Sequence, residues 1–142
     1  MVISLGITTN SKNKLEVFFK DYQKRFLQTV RRLLAFHGEA IKLKTKDEIK
    51  NGDKSGRWYT YKGRRYQASA EGEVAAYRSG ALYKSIKSKR KDGGFTAEVS
   101  TNVSYAPYLL NNLNRKIFEP AFDTHKDMFL DNIRDLINKG LM

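Results

Sequence analysis

The chain contains no cysteine. Disulfides, zinc–thiolate sites and cysteine nucleophiles are therefore excluded together. Histidine is almost as scarce: His37 and His125 are the only two, far apart along the chain. No run approaches the roughly 20 apolar residues that a membrane span needs. The apolar stretch Val2 to Ile7 is short, lacks a basic leader and runs into Thr8-Thr9-Asn10, so it does not read as a signal peptide. Gly93-Gly94 lacks the lysine and the spacing of a phosphate-binding loop. The serines have no His/Asp partners in any nucleophile motif. Little is left from which to build an active site, and no enzyme, cofactor or metal is expected.

What is present is basic and aromatic. The 142 residues (16.4 kDa) match the common size of one domain, read as 1–142, long enough to bury about two thirds of the unfolded surface. Lys and Arg number 27 against 15 Asp and Glu, a net charge of +12, alongside 8 Tyr, 8 Phe and 1 Trp. Residues 1–94 hold 22 basic and 9 acidic groups, whereas residues 95–142 hold 5 and 6. Such asymmetry fits a partner of opposite sign, either nucleic acid or an acidic protein surface. It also fits plain solubility.

Along the chain, Val2-Ile3-Ser4-Leu5 reads as a short strand. Leu15, Phe18, Phe19, Tyr22, Phe26, Val30, Leu33 and Leu34 recur at helical intervals, with an Asn13/Glu16 capping box and Gly38 as a stop. Residues 42–54 are charged and read as a solvated loop or short helix. Residues 56–69 predict a β-hairpin turning at Lys62-Gly63, with Tyr59 opposite Tyr66 and Tyr61 opposite Arg64 on one face. Trp58, Thr60, Arg65 and Gln67 share the other face. Aromatic and guanidinium groups interleave there, a composition suited to contact rather than burial.

Residues 70–80 read as a flexible stretch, followed by a short helix from Ser79 to Ile86 and a charged turn over Lys87–Gly94. Phe95, Ala97 and Val99 alternate as a strand. A short helix follows from Tyr105. The last helix carries Phe118, Phe122, His125, Phe129, Ile133, Leu136 and Ile137 on one face, with Pro120 near its start and Gly140 just past its end. The fold class expected is α+β: a small antiparallel sheet packed against a long N-terminal and a C-terminal helix, with a projecting hairpin arm at 55–69.

Chemistry has few candidates. His125 lies on an apolar helix face and reads as a satisfied core histidine. Glu71 and Glu73 alternate on a loop and could serve a small hydrolase as paired carboxylates, but read more simply as a solvated pair. The Trp58–Gln67 ribbon and the Lys87–Lys91 run could bind nucleic acid by stacking and phosphate contact. The same arm could instead reach onto a neighbouring subunit.

Four segments, in order, carry a resemblance. They are Tyr66-Gln67-Ala68-Ser69-Ala70-Glu71-Gly72-Glu73, then Ser79-Gly80-Ala81-Leu82-Tyr83-Lys84-Ser85-Ile86. Thr101-Asn102-Val103-Ser104-Tyr105-Ala106-Pro107-Tyr108 and Arg115-Lys116-Ile117-Phe118-Glu119-Pro120-Ala121 follow. Over roughly residues 55–125 the sequence resembles the head–tail joining proteins of tailed bacteriophages, the neck or tail-completion components. It departs from that pattern at Leu109-Leu110-Asn111-Asn112-Leu113, where an acidic residue and Gly-Thr are usual, and at Lys116, where proline is usual.

The resemblance implies a non-enzymatic virion protein, assembled in the host cytoplasm and located in the neck. It would be a homo-oligomeric ring, most simply hexameric, although twelve members is open. Its partners would be a head-closure or connector protein and a tail-tube protein, with non-specific contact to phage DNA as a further expectation and no membrane. On that reading Trp58, Tyr59, Tyr61, Arg64, Arg65 and Tyr66 form the contacting arm, Glu71 and Glu73 belong to the loop that spaces it, and Tyr108 packs a subunit contact or the sheet. Tyr105 would pack in the core. The alternative is a stand-alone nucleic-acid-binding module built on the basic aromatic hairpin.

Overall fold

The computed structural model describes residues 1–6 and 23–140. The first part of the expected N-terminal helix, including Leu15, Phe18, Phe19, Tyr22 and the Asn13/Glu16 cap, lies outside them. Strand β1 is Val2–Gly6 and helix α1 is Gln23–Asn51. The hairpin consists of β2 (Trp58–Tyr61) and β3 (Arg64–Gln67). Then come α2 (Ala81–Ser85), β4 (Lys87–Lys91), β5 (Thr96–Ser100), α3 (Ala106–Asn111) and α4 (Glu119–Gly140). The class is α+β: an antiparallel three-stranded sheet in the order β1-β5-β4, a separate two-stranded hairpin, and two long helices.

Helix α1 is the spine. Phe26, Val30, Leu34, Ile41, Thr45 and Ile49 are buried at intervals of four and seven residues, so one stripe faces the core along most of a helix of 29 residues, about 44 Å long. The helix does not stop at Gly38. Gly38 is buried within it, and a Cβ there would lie 2.8 Å from the Cβ of Ala97 on β5. The glycine is a close-approach residue rather than a cap. The charged residues from Lys42 onward, expected as a loop or short helix, continue the helix because Ile41, Thr45 and Ile49 extend the buried stripe beneath them.

The sheet packs on α1 through Ala97 and Val99, both buried, with Ile3 and Leu5 beside them. Lys87–Lys91, expected as a turn, is strand β4, paired from Lys87↔Ser100 to Lys91↔Thr96. The turn is confined to Asp92, Gly93 and Gly94, all at positive φ. An edge strand whose side chains mostly meet water needs no apolar alternation, so its strand character is invisible to hydrophobic pattern. Ser88 ties it to α1 by donating to Glu39 (2.7 Å).

Helix α4 runs along α1 and completes two core clusters. One joins Phe26, Val30 and Leu34 to Phe95, Ala97 and Phe129. The other joins Ile41 and Ile49 to Leu82, Val99, Ile117 and Phe118. Residues 70–80, expected to be flexible, are tied down. Gly72 N–H donates to Asn114 O, Ala75 N–H to Lys116 O, Lys116 N–H to Glu73 O, and Tyr77 N–H to Ile49 O, at 2.8 to 3.0 Å.

Candidate functional site

The hairpin forms with the expected register: Trp58↔Gln67, Tyr59↔Tyr66, Thr60↔Arg65 and Tyr61↔Arg64. Lys62 and Gly63 both take positive φ (50° and 74°), the mirror-image turn whose twist suits a two-residue hairpin connection. The Tyr59 and Tyr66 rings stack with centroids 5.9 Å apart. On the opposite face Trp58 is 53% exposed, and the Arg65 guanidinium lies 5.3 Å from its ring centroid. Tyr61 is approached by the Arg78 guanidinium at 4.6 Å and the Lys62 ammonium at 5.4 Å. Arg64 and Arg65 are exposed. The hairpin thus has a half-buried tyrosine face and an open Trp/Arg face, with Arg65, Arg78 and Lys62 each covering part of a ring.

Its base is clamped. Gly56 N–H donates to Ala68 O (2.8 Å) and Ala68 N–H to Arg57 O (3.0 Å). Glu73 closes the loop behind it, its carboxylate accepting from the backbone N–H of Ala70 (2.7 Å), the N–H of Ser55 (3.1 Å) and the Ser55 hydroxyl. These donors, the Ala70 N–H foremost, hold the Glu73 carboxyl below the ordinary carboxylate range. Glu71 turns elsewhere, accepting from Asn114 Nδ2 at 3.4 Å. The two glutamates therefore serve different partners.

The arm stands beside a hollow of about 410 Å³ whose lining includes Tyr59, Tyr77, Tyr83, Tyr105, Leu109 and Arg115. Burial keeps the Tyr59 hydroxyl protonated to higher pH than an ordinary tyrosine. Tyr105 is 43% exposed and so is not the core residue expected; Tyr108 is exposed as well. The hollow was not legible in sequence because its wall gathers residues from five separate stretches between 49 and 115.

The histidines come together. His37 is fully buried, and its Nδ1 lies 3.0 Å from Nδ1 of His125, while Asn132 reaches its Nε2 at 3.1 Å. Burial lowers both pKa values, helped at His37 by His125 and at His125 by Lys44. A neutral pair sharing one proton between the facing nitrogens satisfies this geometry. Among the described residues no group of three or more His, Asp or Glu is arranged to hold a metal ion, and no helix is long and apolar enough to cross a membrane.

No protein-family model, no curated protein and no solved structure matches the chain.

Proposed function

We propose that this protein is a non-enzymatic structural subunit of the tailed-phage neck, a ring-forming tail-completion component that joins the head connector to the tail tube. The observation that carries the reading is the arm. A self-paired hairpin, held at its base and along its tyrosine face, offers an exposed Trp58 under Arg65 on its other face and leaves Arg64 open. Solvated tryptophan beside arginine is the composition of interface anchors. The ordered resemblance across residues 55–125 supplies the particular role. The basic balance of the chain favours an acidic neighbour, and exposed Trp58 and Arg65 are groups that become anchors when desolvated.

The test is electron microscopy with mass determination on the purified chain, alone and mixed with tail tubes of its own phage. A ring, or a cap at one tube end, is expected. Trp58 is the only tryptophan, so its emission should shift to the blue on docking. Trp58→Ala and Arg65→Ala should each weaken capping about tenfold or more, with the fold retained. A monomer that ignores tubes but binds duplex DNA at low salt, with affinity falling steeply as salt rises, overturns the reading in favour of the nucleic-acid module.

A further inference from the structure

Helix α4 carries Asp123, Asp127, Asp131 and Asp135 at strict four-residue spacing, and all four are exposed. The core-facing positions of the same helix, buried Ala121 and Phe129 with half-buried Phe122, Ile133 and Leu136, lie on the opposite side of the helical wheel, so the aspartates form a row facing away from the core. Among the described residues Asp131 pairs only with Arg134, at 3.4 Å and well exposed, and the other three aspartates have no ion-pair partner. Like charges four residues apart repel, so the row destabilises the isolated helix. A surface of that kind gains when a cationic face covers it.

The same chain presents such a face. The register of β4 on β5 puts Lys87, Lys89 and Lys91 on the side of Ser100, Glu98 and Thr96, pointing away from the α1-facing residues Ala97 and Val99. All three lysines are exposed. Lys91 pairs with Glu98 (2.5 Å), while Lys87 and Lys89 have no ion-pair partner among the described residues. Residues four apart on a helix rise about 6 Å, and residues two apart on a strand rise about 6.6 Å. Three aspartates and three lysines therefore match to within about 1 Å along their length. Lysines on an edge strand discourage strand-to-strand extension, which leaves a face contact as the mode of association. Both faces turn outward from the core, so they cannot meet within one molecule.

We propose that the aspartate row of α4 docks on the lysine face of β4 of a second copy of this chain. The contact is head-to-tail, the kind that closes into rings. The proposal deepens the neck reading, on which it rests, by naming the two surfaces that join neighbouring subunits.

The test uses sedimentation velocity on the full chain in low salt and in 0.5 M salt, the higher value being roughly enough to screen exposed charges beyond a few ångströms. Self-association is expected in low salt and should be lost in high salt. Asp127→Lys/Asp131→Lys and Lys87→Glu/Lys89→Glu should each weaken it by about tenfold or more. Mixing the two variants should restore it, in assemblies alternating one to one, because each reversed face then meets its complement. Should a reversal unfold the chain, Asp127→Asn/Asp131→Asn and Lys87→Gln/Lys89→Gln test the same contact by neutralisation. A wild-type chain that stays monomeric in low salt, association that survives either reversal, or a mixture that fails to recover overturns the proposal. Tube capping scored in parallel separates the two claims. Assembly through these faces without capping keeps the contact and removes the neck role. Capping by a chain whose association ignores the reversals removes the contact alone.

Discussion

His37 Nδ1 faces His125 Nδ1 at 3.0 Å, joining α1 to α4 through a hydrogen bond that only one proton can occupy. Both pKa values are lowered in the folded chain, at His37 by burial and then the neighbouring His125, and at His125 by burial and then Lys44. As pH falls through the ordinary histidine value, about 6.5, the unfolded chain takes up protons that the folded chain refuses. Stability is therefore level above that pH and declines below it, until the folded histidines are themselves protonated. Urea unfolding between pH 7.5 and 5 reads this directly. His125→Gln should shallow the decline.

Gly38 predicts a reversal of a common rule. Alanine in place of a helical glycine usually adds about 1 kcal/mol of stability. Here the new methyl would meet Ala97 Cβ at 2.8 Å, so Gly38→Ala should lower stability by about 1 kcal/mol or more. Adding Ala97→Gly should recover part of the loss, measured as the coupling in a double-mutant cycle.

Thr45 is fully buried, and its hydroxyl has no hydrogen-bond partner among the described residues. Thr45→Val keeps the shape and removes an unmet donor. The denaturation midpoint should rise, by about 1 kcal/mol of stability.

Glu73 should control the arm. Glu73→Gln removes the charge that gathers the Ala70 and Ser55 donors, so proteolytic nicking within residues 55–73 should increase while the helices stay intact. Because its folded pKa is lowered, its contribution is present above the ordinary carboxylate value and is lost as pH falls through the folded value. Acid should therefore loosen the wild-type arm and leave the variant, already loosened, unchanged.

The sequence showed some elements better than others, and the reasons are physical. Lys62-Gly63 between two aromatic runs announced the hairpin and its register, because turn chemistry is local. Phe95, Ala97 and Val99 announced β5 because one face is buried and the other wet. Helix α1 was cut short at Gly38 because a glycine demanded by Ala97, a partner 59 residues away in the chain, looks in sequence like a terminator. The Lys87–Lys91 strand was hidden because it has no apolar face to reveal it. In the candidate site, the Trp58/Arg65 face was legible, whereas the role of Glu73 depends on Ser55, and the hollow beside Tyr59 depends on chain returning from residues 105–115. The aspartate row was readable all along as a four-residue period, but its meaning needs the lysine face that only the sheet register defines.

The unbroken length of α1 has a mechanical consequence. Its C-terminal end is fastened to the segment behind the arm, through Tyr77 N–H on Ile49 O and the Lys54 ammonium on Glu48 O. Its opposite end is seated in the cluster of Phe26, Val30 and Phe129. A pull on the hairpin is therefore passed to a single stiff strut about 44 Å long and shared among the packed residues from Ile49 to Phe26. The domain is framed as a crossbar, carrying tension from one rim of the molecule to the other instead of dissipating it in the loop where it is applied.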